Sequence, residues 1–340
     1  MDQFKPIIAK VATGSPLNRA EAEQAFGVLL SGESTLAQTG AFLMALRVRG
    51  ETVDEITGAA TAMRQRMVRV KAPADAIDIV GTGGDNSGSL NISTLASLIA
   101  AACGVPVAKH GNRAASSQSG SADVLTALGV NVGLDVKALE HCLHEANVCF
   151  MFAPSHHASM RHVAPVRVEL GTRTIFNLLG PLCNPAGVNR QVLGVFSQSW
   201  VEPLAHVMKS LGSDTVWVVH GSDGLDEITN TGPTFVAALE KGAVKTFTIA
   251  PQDFGLKLSK PEEIKGADAA FNAKALRDVI EGKRNAYRDI AVMNAAAGLI
   301  VAHKTQSLKE AANIAEAAID DGRVRHVLET LVKASKDQLA

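Results

Sequence analysis

The chain has no surplus of charge, few cysteines and no long apolar run, and each shortage removes a class of function. Its 33 Lys and Arg against 34 Asp and Glu give a formal net charge of -1, so no overall basic character supports non-specific nucleic-acid binding. Cys103, Cys142, Cys149 and Cys183 are too scattered for a C-x-x-C metal or redox pair and too few for a disulfide framework, which points to a reducing cytoplasm. No apolar stretch reaches spanning length, and Met1 to Lys10 mixes acid, amide and lysine where a secretory signal would be apolar, so neither membrane segment nor targeting signal is expected. Low-complexity tracts are absent as well. What remains is a globular chain of 340 residues, 46% hydrophobic, longer than one core usually serves, so two lobes are expected.

The first seventy residues read as helices. Asn18 with Glu21, Thr35 with Gln38 and Thr52 with Glu55 form three capping boxes in series, and Phe42 with Leu46 and Ile56 with Met63 recur at helical spacing. Lys71 to Asp75 reads as a linker. Beyond it, short β-branched runs alternate with helices, an α/β signature. Strands are expected at Ile77 to Val80, Val105 to Lys109, Val148 to Phe152, Gln191 to Phe196, Thr215 to His220 and Val244 to Ile249, with helices beginning near Ile92, Ser121, Val136, Val201, Ala273 and Leu308. The proline-bearing stretch His162 to Val188 breaks the alternation and is expected to cross back to the helical lobe, most closely over residues 165–188. The division is therefore 1–71 helical and 72–340 α/β, with a central, mostly parallel sheet flanked by helices.

Chemistry concentrates at three loops. Strand Ile77 to Val80 runs into Gly81-Thr82-Gly83-Gly84-Asp85-Asn86-Ser87-Gly88-Ser89, then Leu90-Asn91-Ile92-Ser93-Thr94 and a helix. Glycine admits positive φ and has no Cβ to hold a phosphate away, so several N–H groups can converge on one anion, aided by the helix N-terminus. Spacing excludes the dinucleotide fingerprint, which needs glycine where Asn86 stands, and the Walker loop, whose Lys-Ser/Thr is replaced by Ser89-Leu90. Alone, this loop could equally be an ordinary strand-to-helix turn. The next strand ends in Lys109-His110-Gly111-Asn112-Arg113-Ala114-Ala115-Ser116-Ser117, a second group of anion donors on the same side of a parallel sheet, where such folds bind substrate. No acidic residue lies between Asn86 and Ala122. The third loop carries Asp226-Glu227. Beside a diphosphate cradle this pair suits Mg²⁺, which takes one or two carboxylates together with phosphate oxygens, with Ser93 as a neutral ligand. His156 and His157 lack the pattern of a zinc site, and among Arg161, Arg167 and Arg173 spacing alone selects no carboxylate partner.

Taken together these segments resemble the anthranilate phosphoribosyltransferase family: GTGGD at Gly81, NIST at Asn91, KHGNRAASS at Lys109, SGSADVLTALG at Ser119, APVRVELGTRTIFNLLGPLCNPA at Ala164 and GLDEIT at Gly224 occur in order over almost the whole chain. The resemblance implies a nucleoside phosphorylase/phosphoribosyltransferase-like fold, a small helical domain hinged to a larger α/β domain and paired into a homodimer through the helical lobes, working in the cytoplasm without nucleic acid or membrane partners. It implies that Gly81, Gly84, Asp85, Ser89, Asn91, Ile92, Ser93, Thr94, Lys109, His110, Gly111, Asn112, Arg113, Ala114, Ala115, Ser116, Ser117 and Ser121 surround phosphoribosyl diphosphate. Two Mg²⁺ per site would be held by Ser93, Asp226 and Glu227. Gly81, Asn112, His157 and Arg167 would line the anthranilate pocket, and Lys109, Asp226 and Glu227 would carry the catalytic charge work. Gln118, where the family often has lysine, and Ala158-Ser159, in place of Pro-Ala, depart from the pattern near ligand loops. A pyrimidine nucleoside phosphorylase, similar in fold, would use free phosphate and have no need of the acidic pair. A non-catalytic paralogue binding nucleic acid is disfavoured by the near-neutral charge.

Overall fold

The computed structural model describes residues 4–114 and 118–337. Four helices open the chain: α1 (Phe4–Ala12), α2 (Arg19–Ser31), α3 (Leu36–Arg49) and α4 (Val53–Arg64). All three expected capping boxes close, with Asn18, Thr35 and Thr52 each accepting from the backbone N–H of the residue three further on. Phe4, Phe26 and Phe42 interlock at the centre of this bundle, with ring centroids 5.2 Å and 5.7 Å apart, and tilted or edge-on ring pairs of this kind pack better than a face-to-face sandwich.

The α/β part continues with β1 (Ile77–Gly81), α5 (Ile92–Ala102), β2 (Val107–Gly111), α6 (Ser121–Ala127), α7 (Val136–Ala146) and β3 (Val148–Phe152). Next come α8 (Ala153–His156), α9 (Ala164–Leu170) and α10 (Phe176–Leu182), then β4 (Arg190–Gly194), α11 (Val201–Ser210), β5 (Thr215–Gly221), β6 (Thr234–Glu240) and β7 (Ala243–Ile249). Helices α12 (Ala269–Ile280), α13 (Ala286–Val301), α14 (Leu308–Asp320) and α15 (Arg323–Ala334) close the fold. The sheet runs β3-β2-β1-β4-β5-β6-β7. The five strands β3 to β5 are parallel, and β6 and β7 form an antiparallel hairpin at one edge.

Beyond the short helices α8, α9 and α10 that follow β3, three elements escaped the sequence reading. Strand β6, TFVAALE, has two alanines and no clean alternation. Its hairpin turns on Lys241-Gly242, both at positive φ, a geometry that Asn-Gly would have announced and Lys-Gly does not. Helix α13 is buried along nearly its whole length, so no amphipathic period marks it. Gly298 lets it lie against the sheet, since a Cβ there would stand 2.8 Å from Ile79 Cδ1. Helix α15 does have a polar and an apolar face and was readable by period. Helix α12 starts at Ala269, ahead of the expected Ala273, because Asp268 caps it by accepting from Phe271 N–H at 2.8 Å.

Two hydrophobic clusters form, divided by the faces of the sheet. One joins β1, β2 and β3 to α5, α7, α13, α14 and α15. The other joins the helical bundle to α10, α11 and the opposite face of β4, β5 and β6. The irregular stretch after β3 packs on the helical bundle: α9 lies on α3 and α10 on α4, Phe176 meets Phe26 edge-on at 5.6 Å, and Arg64 Nε donates to the Leu182 carbonyl at 2.7 Å. The connecting strand of backbone is pinned in the same way, with Val68 N–H donating to His156 O and Val70 N–H to Pro185 O.

Candidate active site

The strand order reverses between β1 and β4, which leaves a crevice outside their C-terminal ends, the usual ligand position in an open parallel sheet. Gly81 and Gly194 face each other in register there, and Thr82 N–H donates to the Gly194 carbonyl at 2.9 Å. Asp226 fills the crevice. A Cβ on Gly81 would run into the Asp226 carboxylate, and one on Gly194 would run into its backbone carbonyl. The two strand-end glycines are thus the reason an acidic loop from beyond β5 can reach the first loop at all.

Gly83, Gly84, Asn86 and Gly88 all take positive φ, and Gly83 N–H donates to Asp226 Oδ2 at 2.6 Å. Arg173, from the crossing segment, donates to the Gly84 carbonyl and lies 4.4 Å from the Phe196 ring centroid. Asp85 accepts from Ser87 N–H at 3.1 Å, and Ser89 Oγ accepts from Ser87 Oγ. At the start of α5, Ser93 N–H donates to Glu227 Oε1 at 3.3 Å, so Ser93 meets the Asp226-Glu227 loop from far away in the chain. Asn91 precedes the helix, and Ile92 and Thr94 are buried, Thr94 Oγ1 without a partner.

The second loop is built differently from the first. Lys109 is buried within β2 and donates from Nζ to the Ile79 carbonyl at 2.6 Å. Burial lowers the pKa of its ammonium, opposed by Asp78, Glu227 and Asp226 in turn, which makes it a buried counter-charge to the acidic loop. His110 sits beside His157, ring centroids 5.2 Å apart. Burial first and neighbouring histidines second hold His110 down at about 3 and His157 at about 4, so both are neutral at pH 7. Gly111 lies against Phe150, whose ring a Cβ would strike. Asn112 accepts from Arg113 N–H, and its carbonyl from Ala122 N–H. Arg113 pairs with Asp123 at 3.1 Å, and Asp123 also accepts from Ala114 N–H and Gly120 N–H, closing the base of the loop just before Ser121. Ala115, Ser116 and Ser117 lie outside the described residues. Arg167, on α9, stands 5.5 Å from the Phe176 ring centroid, and burial lowers its pKa.

The acidic pair is crowded. Burial, and then the charge of Asp85, raises Asp226 to about 7. Burial, and then Asp226, raises Glu227 to about 8 against the pull of Lys109. Carboxylates held together in this way, with hard oxygen donors only, fit a divalent cation such as Mg²⁺. Among the described residues no group of three or more His, Cys, Asp or Glu is placed to hold a metal ion. The sequence reading passed over Arg173, Asp123, Asn272 and Tyr287, which touch the loops from elsewhere. Arg173 gave a signal as one cation in a basic run, and Asp123 lay within the motif beginning at Ser119.

Comparison with known proteins matches this arrangement. The glycosyl transferase family α/β domain covers residues 73–325 and the helical bundle domain of the same family covers residues 5–67. The chain is 65% identical to anthranilate phosphoribosyltransferase of Beijerinckia indica over 98% of both chains. The crystal structure of anthranilate phosphoribosyltransferase from Thermus thermophilus superposes with a TM-score of 0.92 at 42% identity, covering 97% of this chain and 99% of that one. The Saccharomyces cerevisiae enzyme in complex with PRPP and Mg superposes with a TM-score of 0.90 at 29% identity over 98% and 97% of the two chains, and it is also solved with 4-fluoroanthranilate. With its helical bundle, its mostly parallel sheet and an acidic loop seated at the strand reversal, the chain belongs to the anthranilate phosphoribosyltransferase family.

Proposed function

We propose that the crevice at β1 and β4 is where this chain transfers the phosphoribosyl group of 5-phosphoribosyl 1-diphosphate to the amine of anthranilate. The bond from ribose C1 to the diphosphate oxygen breaks, a C1–N bond forms with inversion, and the amine loses a proton as N-(5-phosphoribosyl)anthranilate and pyrophosphate are released. The observation that carries this reading is the convergence of Gly83 N–H on Asp226 and of Ser93 N–H on Glu227, which brings both ends of the glycine-rich segment onto the acidic loop.

Mg²⁺, two ions in this reading, would be held by Ser93, Asp226 and Glu227 and would supply positive charge against the departing diphosphate. The first loop offers backbone N–H groups at Gly84, Asp85 and Ser89 and the start of α5 from Asn91 to Thr94. The second offers Lys109 to Ser117 and Ser121. Preorganised donors of this kind contribute about 3 kcal/mol each to a developing anion. Lys109 acts from below the surface, biasing the acidic loop toward its charged form. Arg167, its cation lying by Phe176, suits the anthranilate carboxylate. The ring of His157, neutral at pH 7, would line the anthranilate pocket with Asn112 and Gly81. An aromatic amine is largely unprotonated at neutral pH, so no strong base is required. The two lobes, joined through Val68 and Val70, would close to exclude water.

The homodimer reading is supported by exposed apolar side chains on the helical lobe and the crossing segment, Leu36 at 56%, Val48 at 82% and Val168 at 80% exposure, on the neighbouring helices α3 and α9. The cytoplasmic reading is supported by four free cysteines. No helix is long and apolar enough to cross a membrane among the described residues. Purified protein mixed with anthranilate, phosphoribosyl diphosphate and Mg²⁺ should consume anthranilate, followed by loss of its fluorescence. No loss at any Mg²⁺ concentration would refute the reaction, and light scattering at a single-chain mass would refute the dimer.

A further inference from the structure

The turn before α12 and the first turn of that helix belong to none of the motif segments, yet they embrace the first loop. Leu90 N–H donates to Ile264 O at 3.0 Å and Gly266 N–H to Gly88 O at 2.8 Å, Ser89 and Lys265 form a β-bridge, and Lys265 Nζ donates to the Ser87 carbonyl. Gly266 has no room for a side chain, since its Cβ would stand 2.7 Å from Ser89 O and 2.9 Å from Asn272 Oδ1.

Asn272 is 1% exposed, and its surroundings fix the direction of its amide. Ala267 N–H donates to Asn272 Oδ1 at 2.9 Å, so the NH₂ group must face the other way, where it donates to Asn91 Oδ1 at 2.9 Å. That in turn orients Asn91, whose own Nδ2 donates to the Ser119 carbonyl at 3.2 Å. Tyr287 Oη holds the Asn91 backbone carbonyl at 3.0 Å. A chain of amides with one permitted polarity therefore runs from Ala267 through Asn272 and Asn91 to Ser119, and it ends on both loops, since Asn91 leads into α5 and Ser119 precedes α6. Helix α12 itself packs on α6.

We propose that Asn272 is a positioning residue for phosphoribosyl diphosphate, fixing the spacing and orientation of the two loops that cradle it. The inference rests on the reading of Asn91 to Thr94 and Lys109 to Ser121 as that cradle. Satisfying a buried amide would require nothing more than local partners; a relay with fixed polarity that terminates on both loops makes the effect selective for one substrate.

Asn272→Asp keeps the shape and the acceptor for Ala267 but sets an oxygen against Asn91 Oδ1. If Asn91 rotates to relieve this, its oxygen then faces the Ser119 carbonyl, so one of two buried contacts becomes repulsive. In the full-length enzyme, the KM for phosphoribosyl diphosphate should rise about tenfold or more while the KM for anthranilate stays within about twofold and kcat within about threefold. Gly266→Ala, which presses on Ser89 O and Asn272 Oδ1 while leaving every polar group of the relay in place, should show the same split. A diphosphate KM within about twofold of wild type in a variant with an unchanged melting profile would overturn the proposal. So would equal rises in both KM values tracking a fall in melting temperature, or failure of both variants to fold, since each marks Asn272 as a residue of the fold alone. An inactive wild-type protein would instead refute the proposed reaction.

Discussion

Gly194→Ala is the sharpest test of how the site is assembled. Gly194 sits in ordinary strand backbone, with no positive φ to strain, so the substitution introduces one methyl group and nothing else. That methyl would fall inside the carbonyl group of Asp226, 3.3 Å from its Cα. The obstacle is backbone, which cannot rotate away, so the acidic loop must retreat by more than about 1 Å, and a misplacement of about 1 Å can already cost about a hundredfold in rate. The retreat also stretches the Gly83 to Asp226 bond, now 2.6 Å, and a hydrogen bond to a charged group is worth about 1.5–3 kcal/mol. Steady-state rates over a Mg²⁺ titration should show kcat/KM down about a hundredfold and the half-saturating Mg²⁺ up about tenfold. Overpacking should lower stability by about 1–3 kcal/mol, a shift of several degrees in melting temperature. Wild-type kcat/KM and Mg²⁺ dependence in Gly194→Ala would refute the view that the bare strand ends at β1 and β4 seat the acidic loop.

Other outcomes follow from the same geometry. Asp226 and Glu227 titrate higher folded than unfolded, so the folded chain holds protons that the unfolded chain has released. Without metal, stability should therefore fall as pH rises from about 4 to about 8, and saturating Mg²⁺ should flatten or reverse this; thermal melts with identical pH slopes with and without Mg²⁺ would contradict it. Glu227→Gln removes a crowded buried charge and should raise the metal-free melting temperature at pH 8 while cutting kcat about a hundredfold or more, and a variant that melts lower and stays active would count against the pair as metal ligands. Arg167→Ala should raise the KM for anthranilate about tenfold with that for the diphosphate unchanged; parallel changes in both would place Arg167 elsewhere. Arg173→Lys gives up the planar donor to Gly84 and the stacking on Phe196, and should raise the diphosphate KM about fivefold. An unaltered KM would show that the first loop holds its shape unaided.

Local chemistry was legible in the sequence. The three capping boxes, the glycines of the first loop, the amphipathic helices and the β-branched strands each depend on neighbours within a few residues, so spacing alone determined them, and the ordered motifs carried the family. The sequence could not show that Asp226 reaches Gly81 and Gly194, because that contact depends on strand order, and strand order depends on which faces the whole chain can bury. Helix α13 escaped because burial along nearly its whole length erases the period that marks a half-exposed element, and strand β6 because its two alanines leave no clean alternation. That Lys109 is buried, with Nζ on the Ile79 carbonyl, was not legible, since only the tertiary structure sets how deep a strand lies. The partnership of Asn272 with Asn91, 181 positions apart, left no local trace, because a hydrogen bond between distant loops needs only one polar residue on each, brought together by the packing of α12 on α6.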